Sequence, residues 1–283
     1  MIIDFHTHTF PPRLAASTLA KLSSVAHVPP WTDGTSEGLL ASMQQAGVDL
    51  SVILPVATNP RQVPGVNDAS VRLNDAMGSR GLLSFGCIHP DYENWHEELG
   101  RIAALGLKGI KIHPVYQGRD IDDPRYLRIL ERAGELGLIV VTHSGVDIGF
   151  PGEEHCSPAM VRHALEQVGP VVLVAAHMGG WKNWREAEEQ LADTKVYLDT
   201  AFSTGVMIPL DDGHYTVDEL KLLNQKCFLH MVRTFGPDRL LFGTDSPWSG
   251  QDESLKWLRA LPLPQKDLDA ILGKNAEQLL HIV

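Results

Sequence analysis

The sequence predicts an α/β protein of the (β/α)8 barrel class, and three observations carry that prediction. Short apolar runs rich in β-branched residues alternate with longer stretches of helical periodicity along all 283 residues. Eight strand-like runs alternate in this way with eight helical stretches, and a final helical stretch closes the chain. Polar residues able to do chemistry sit at the end of nearly every run. A doubly wound open sheet would gather them at one switch point, so the pattern favours a barrel, whose active site lies at the C-terminal ends of the strands.

The elements follow in order. MIIDFHTH (1–8) is the first strand. The segment 9–35, rich in Pro and Ser, reads as a long loop that roofs the site. TSEGLLASMQQAGV opens on a capping residue and closes at Gly47, as a helix should. Strands follow at LSVILPVA (50–57), LLSFGCIH (82–89), LKGIKIHP (107–114), LIVVTHSG (138–145), VVLVAAHMGG (171–180), KVYLDTAF (195–202) and RLLFGTDSP (239–247). Several are continuously apolar, as strands buried on both faces are. Between them NDASVRLNDAMGSRG, ENWHEELGRIAALG, DPRYLRILERAGELG, SPAMVRHALEQVG, WREAEEQLAD, VDELKLLNQKCFLHMVRTFG and DESLKWLRAL read as helices, and DLDAILGKNAEQLLHI closes the chain. No solenoid repeat and no low-complexity linker divides it, so residues 1–283 are expected to form a single barrel domain.

Composition narrows the function. A net charge of −11 disfavours duplex nucleic acid and anionic membranes as partners, since both need a basic surface. Cys87, Cys156 and Cys227 are too few and too far apart for a disulfide framework or a thiolate metal knot. The start turns polar within four residues and shows no basic leader, so a reducing cytoplasm is the expected location.

The chemistry begins in DFHTH. Alternate residues of a strand share a face, so Asp4, His6 and His8 point one way, toward the mouth of the barrel. The other strands end on His89, on Lys111 and His113, on His143, on His177 and on Asp245. Imidazole and carboxylate without thiolate suit Zn²⁺ foremost, with Mn²⁺, Fe²⁺ and Co²⁺ as alternatives. Strand alternation places Lys111 and His113 on one face. Asp4 and His89 read as supporting groups; a buried carboxylate such as Asp4 needs hydrogen-bond donors. His27, His96, His155, His163, His214, His230 and His281 fall in loops or on helical faces and read as ordinary polar residues.

Taken together, DFHTH, KGIKIHP, VVTHSG, VAAHMGG, FGTDSPW and the closing NAEQLLHI resemble the amidohydrolase superfamily, and within it the amidohydrolase-2 branch, which includes the aminocarboxymuconate semialdehyde decarboxylase type and several lactonases and hydratases. The resemblance spans nearly the whole chain. It implies a distorted (β/α)8 barrel and one divalent metal, usually zinc, held by His6, His8, His143 and Asp245 together with a water. It also implies that His177 stands beside the metal and acts on substrate or water. In binuclear relatives a carbamylated lysine bridges two metals near the position of Lys111; the branch resembled here is usually mononuclear, so Lys111 is read as an anchor for a substrate carboxylate. TatD-type deoxyribonucleases share the opening motif but carry a glutamate where KGIKIHP stands, and polymerase-and-histidinol-phosphatase domains supply more ligands than this chain does.

The expected activity is that of a metal-dependent hydrolase acting on a small carboxylate-bearing ester, lactone or amide through a metal-activated water, with His177 and Asp245 as its catalytic residues. The alternative is a non-oxidative decarboxylase or hydratase of an unsaturated or aromatic acid, for which Trp181 and Trp248 would provide flat walls and Lys111 and His113 polar contacts. A third reading is a metal-binding barrel without catalysis. The expected partner is a small-molecule carboxylic acid derivative, and a homodimer is the oligomer that base rates favour.

Overall fold

The computed structural model describes residues 1–282. Its strands are β1 (Ile3–Thr7), β2 (Leu50–Ile53), β3 (Leu82–Ser84), β4 (Gly86–Cys87), β5 (Gly109–Ile112), β6 (Ile139–Thr142), β7 (Leu173–Ala175), β8 (Tyr197–Asp199) and β9 (Leu240–Leu241). Its helices through the first half are α1 (Pro12–Ala26), α2 (Ser36–Ala46), α3 (Val63–Met77), α4 (Trp95–Ala104), α5 (Pro114–Gln117) and α6 (Pro124–Glu135). They continue as α7 (Pro158–Gln167), α8 (Trp184–Leu191), α9 (Gln225–Phe235), α10 (Gln251–Arg259), α11 (Gln265–Asp269) and α12 (Asn275–Leu280). The chain divides into two compact units, one of residues 1–53, 80–82 and everything from Thr200 on, the other of residues 54–79 and 83–199.

In the first unit, β1 is buried along its whole length and runs parallel to β2, with Ile3 opposite Leu50 and Asp4 opposite Ser51. On its other side, Phe5 N–H donates to Phe242 O at 2.7 Å. Past the formal strand ends the pairing goes on: Asp245 N–H donates to His6 O at 2.8 Å and His8 N–H to Ser246 O at 2.6 Å. Ile3, Phe5, Val52, Phe228, Leu241, Phe242 and Ile271 fill the core of this unit.

Two expectations for this unit need correction. Segment 9–35 is not a continuous loop, because α1 occupies Pro12–Ala26. Proline is tolerated in a first helical turn, and the Ala, Leu and Lys that follow are strong helix formers. Ala15 and Leu19, four apart, bury one face of α1. Conversely, the long helix expected over 217–236 forms only from Gln225. Asn224 accepts from Cys227 N–H at 2.9 Å and so starts a fresh helix. From there Phe228, Met231, Val232 and Phe235 bury one face at helical spacing.

In the second unit, β4 to β8 form a run of parallel strands in chain order. Gly86 lies opposite Ile110, Ile110 opposite Val140, Val140 opposite Leu173 and Val174 opposite Tyr197. Ile110, Ile112, Val140, Val141 and Val174 are fully buried, as strands covered on both faces should be. Helix α6 turns Tyr126, Ile129, Leu130 and Ala133 inward behind an Asp123 cap, and α7 starts on a Ser157 cap. Asn67 on α3 acts like an extra strand residue: its Oδ1 accepts from Cys87 N–H at 2.7 Å and its Nδ2 donates to Cys87 O at 3.1 Å. The same amide donates to Glu98 at 2.6 Å, and Glu98 is gripped in turn by Arg101. No helix among the described residues is long and apolar enough to cross a membrane.

Candidate metal centre

Most of the histidines and aspartates singled out in the sequence lie at or just past the end of a strand, and Asp4 lies near the start of β1. His8 follows β1, His113 follows β5, His143 follows β6, His177 comes two residues after β7 and Asp245 four after β9; His6 is still within β1.

In the first unit, three of these residues converge. His6 Nε2 and His8 Nε2 are 3.2 Å apart, and Asp245 Oδ1 is 3.5 Å from the first and 3.0 Å from the second. Tetrahedral zinc with bonds near 2.05 Å would set its ligand atoms about 3.3 Å apart. The donor types and their spacing therefore fit one divalent cation, and all three donor atoms lie within 4.8 Å of one another. Asp245 sits at φ 65°, a conformation costly for a residue with a Cβ. It is held there by its own pairing with His6 O and by Trp248 N–H, which donates to Asp245 O at 2.8 Å. That contact also fixes the backbone of Trp248, whose side chain is half-buried.

Asp4, expected as a support, is fully buried beneath this cluster. Its Oδ1 accepts from His6 N–H at 3.2 Å and Thr244 N–H at 3.0 Å. Its Oδ2 accepts from Thr244 Oγ1 at 2.6 Å and Gln251 Nε2 at 2.8 Å. One carboxylate thus joins the strand carrying His6 to the loop carrying Asp245. Burial pushes the Asp4 carboxyl up to about 7, against the pull of Thr244, Gln251 and the His6 amide.

In the second unit, His143 Nδ1 lies 3.0 Å from His177 Nε2. His113 stacks on His143, with ring centroids 4.2 Å apart, and on Tyr116 at 3.7 Å. His113 is placed by Gln117, which accepts its backbone N–H at 3.0 Å and the Tyr126 hydroxyl at 2.5 Å, and donates to Ala57 O and Ile88 O at 2.9 and 2.8 Å. His177 and Met178 both sit at left-handed φ, 60° and 57°. Asp199 stabilises that turn by accepting from His177 N–H at 2.9 Å through its side chain and from Met178 N–H at 2.7 Å through its main chain. Lys111 is 1% exposed on β5, two residues before His113. Trp181 is buried, pairs through its backbone with Ser144 and Val146, and carries the Lys182 ammonium 5.1 Å over its ring. His89 is buried and its Nδ1 accepts from Asp91 N–H at 3.1 Å; burial draws its pKa down. Burial pushes the thiols of Cys87 and Cys156 up to about 12, which leaves neither suited to nucleophilic work.

Four residues with clear places in these clusters were not legible in advance: Thr244 and Gln251 around Asp4, Asp199 under His177, and Asp147. Asp147 Oδ2 lies 3.5 Å from His113 Nε2 and 3.8 Å from His143 Nε2, and this second trio is also close enough for one cation.

With this geometry in view, comparison with known proteins places the chain. The sequence model of the family described as amidohydrolase, of the amidohydrolase-2 group, matches residues 3–282, and the chain belongs to that family. No curated protein matches it in sequence. Among solved structures it is similar to 5-carboxyvanillate decarboxylase LigW from Sphingomonas paucimobilis, at 15% identity and a TM-score of 0.68 over 100% of this chain and 99% of that one. It is similar to the TIM-barrel protein Bb4693 from Bordetella bronchiseptica, at 18% identity and a TM-score of 0.69 over 99% and 98% of the two chains. It is likewise similar to a putative 2-pyrone-4,6-dicarboxylic acid hydrolase from Pseudomonas putida, at 18% identity and a TM-score of 0.65 over 99% and 97%. These likenesses show the fold, and the fold class is the α/β TIM barrel that the strand and helix alternation predicted.

Proposed function

We propose that the chain is a metal-dependent hydrolase of a small carboxylate-bearing ester, lactone or amide, acting as one barrel domain of residues 1–283. The observation that carries this reading is the His6, His8 and Asp245 cluster, whose donor atoms lie 3.0 to 3.5 Å apart. His6, His8 and Asp245 would hold a divalent cation, zinc foremost, with His143 as the fourth protein ligand; that last assignment is supported by its strand-end position and by the family. When bound, such an ion supplies Lewis-acid polarisation of an oxygen and eases deprotonation of a water molecule.

The side chains have the remaining tasks. Asp245, 12% exposed at its side chain, takes the proton of an attacking water and returns it to the leaving group. His177, kept close to His143 and fixed by Asp199, presents Nε2 to the oxygen on which charge develops. Lys111 pairs with a substrate carboxylate, and His113, Trp181 and Trp248 shape the walls around the substrate. Asp4 orients the cluster from below.

A second reading, non-oxidative decarboxylation, draws support from the likeness to 5-carboxyvanillate decarboxylase, whereas the likeness to the 2-pyrone-4,6-dicarboxylic acid hydrolase supports the first. A screen of lactones, esters and aromatic acids with zinc- and manganese-loaded protein separates them. Acid released at constant pH without CO₂ is the expected result, and evolved CO₂ would establish the decarboxylase instead. His177→Ala should lower the detected turnover by about 10²–10⁴-fold; unchanged turnover refutes its role. Lys111→Met should leave metal content near one equivalent and raise KM for the carboxylate substrate, while loss of a second, activity-bearing equivalent would make Lys111 part of a binuclear site.

A further inference from the structure

The loop after β6 carries a carboxylate that none of these roles uses. Asp147 is 6% exposed. Its Oδ1 accepts from Gly149 N–H at 2.7 Å, and its main-chain oxygen accepts from Phe150 N–H at 3.0 Å, so its own turn fixes the group. The loop is in turn held on both sides. Gly145 N–H donates to Cys156 O at 2.8 Å, Val146 N–H to Trp181 O at 3.1 Å, and Trp181 N–H to Ser144 O at 2.9 Å. Asp147 Oδ2 faces two stacked rings, 3.5 Å from His113 Nε2 and 3.8 Å from His143 Nε2.

The hydrogen bonds around the rings decide where their protons lie. His113 Nδ1 accepts from Tyr116 N–H at 3.4 Å, so the single proton of its neutral ring sits on Nε2, facing Asp147. His143 has the same arrangement: Nε2 faces Asp147, while Nδ1 faces His177 Nε2 at 3.0 Å. At 3.8 Å the approach to His143 is an ion-pair distance, longer than a hydrogen bond. His143 Nε2 makes no hydrogen bond, so only the charge of Asp147 on that side favours a proton there; with the proton on Nε2, the 3.0 Å bond to Nδ1 is donated by His177 Nε2. The 13° angle between the stacked rings turns both toward the same oxygen.

We propose that Asp147 is a positioning residue, whose Oδ2 keeps the ring proton of both His113 and His143 on Nε2 and so presents His143 Nδ1 as a lone pair. A metal-binding imidazole whose second nitrogen gives its proton to a carboxylate is fixed in tautomer and orientation and is a stronger donor. The inference rests on the ligand role proposed above for His143, but its tautomer half stands on the second unit alone.

The test uses the full chain in two measurements. Long-range ¹⁵N–¹H correlation of the histidine rings in metal-free protein should show His113 and His143 as Nε2–H tautomers in the wild type. In Asp147→Ala both rings should shift toward mixed tautomers, with the backbone spectrum otherwise unchanged; Asp147→Asn should give a smaller shift and serves if the alanine variant folds poorly. Competition of Zn²⁺ against a chelator should give an affinity about 10–100-fold weaker in Asp147→Ala. Unchanged tautomers in both variants overturn the proposal. Loss of a whole equivalent of zinc with tautomers unchanged overturns it too, since Asp147 would then be a ligand. His143→Ala is the separate control: if it binds zinc as tightly as the wild type, the ligand role of His143 fails, while the His113 tautomer still decides the role of Asp147.

Discussion

Replacing Asp4 should loosen the His6, His8 and Asp245 cluster without touching any of its donor atoms. Four donors converge on this fully buried carboxylate: the His6 and Thr244 amides, the Thr244 hydroxyl and the Gln251 amide. Asp4→Ala removes all four bonds, although Gln251 Nε2 keeps its bond to Ser51 Oγ at 3.1 Å, and at about 1 kcal/mol net for each lost bond the loss is about 4 kcal/mol. Asp4→Asn keeps the shape and one acceptor oxygen, and Thr244 can turn its hydroxyl to accept, so a smaller loss is expected. The charge adds a second, separable signature. In the metal-free chain burial holds the folded pKa at about 7, well above the ordinary carboxylate range. A raised folded pKa means that the group's contribution is complete below the unfolded pKa and is lost as pH rises through the folded one. The stability of wild type relative to Asp4→Asn should therefore fall by about 1.4 kcal/mol per pH unit between pH 5 and pH 7, and level off above. Urea denaturation in chelator at pH 5, 6, 7 and 8 reads this directly. A difference independent of pH would refute the burial argument. An Asp4→Ala chain within about 0.5 kcal/mol of wild type at pH 5 would refute the clamp itself.

Three further outcomes are expected. Gly145→Ala should cost about 3 kcal/mol in thermal or urea unfolding, because at φ +82° its Cβ would stand 2.3 Å from Trp181 N and force the Ser144 and Trp181 pairing apart; unaltered stability would show that the loop moves freely. Glu98→Gln should destabilise by about 1–2 kcal/mol at pH 7. Burial opposes the Glu98 charge, but Arg101 and Asn67 overcome it and hold the pKa below its ordinary value. A depressed pKa gives stability present above the unfolded pKa and lost as pH falls through the folded one, so the gap between variant and wild type should close in acid and not in base. Chelation should lower the unfolding midpoint and added Zn²⁺ should restore it, by about 2.7 kcal/mol at a free metal concentration of 100 Kd; a midpoint indifferent to both would count against a bound ion.

Periodicity marked the candidate site residues, while their division into ligands and an acting histidine came from the family resemblance. His6 and His8 were legible because residues two apart share a strand face, and His143, His177 and Asp245 because each closes an apolar run. Helix α1 was obscured by the prolines and serines scattered through 9–35, which read as loop although Pro12 begins a helix. Residues 217–224 have helical periodicity but do not form a helix, since Asn224 caps a new one after them. Thr244, Gln251, Asp199 and Asp147 act through partners distant in the chain or through a turn geometry, and no local pattern marks them. The left-handed backbone at His177 and Asp245 is equally silent in sequence, because neither residue type demands it.

Asp4 meets Thr244 across 240 positions and Gln251 across 247. On a ribosome, the two ends of that contact emerge roughly 12–50 s apart at usual rates of synthesis. For all of that interval the nascent chain displays His6 and His8 with neither Asp245 beside them nor a latch beneath. Two neighbouring imidazoles on an unfinished strand form a poor and unselective trap for metal ions. Any cation that the proposed site takes would therefore be chosen only once Asp245 has emerged and joined the two imidazoles.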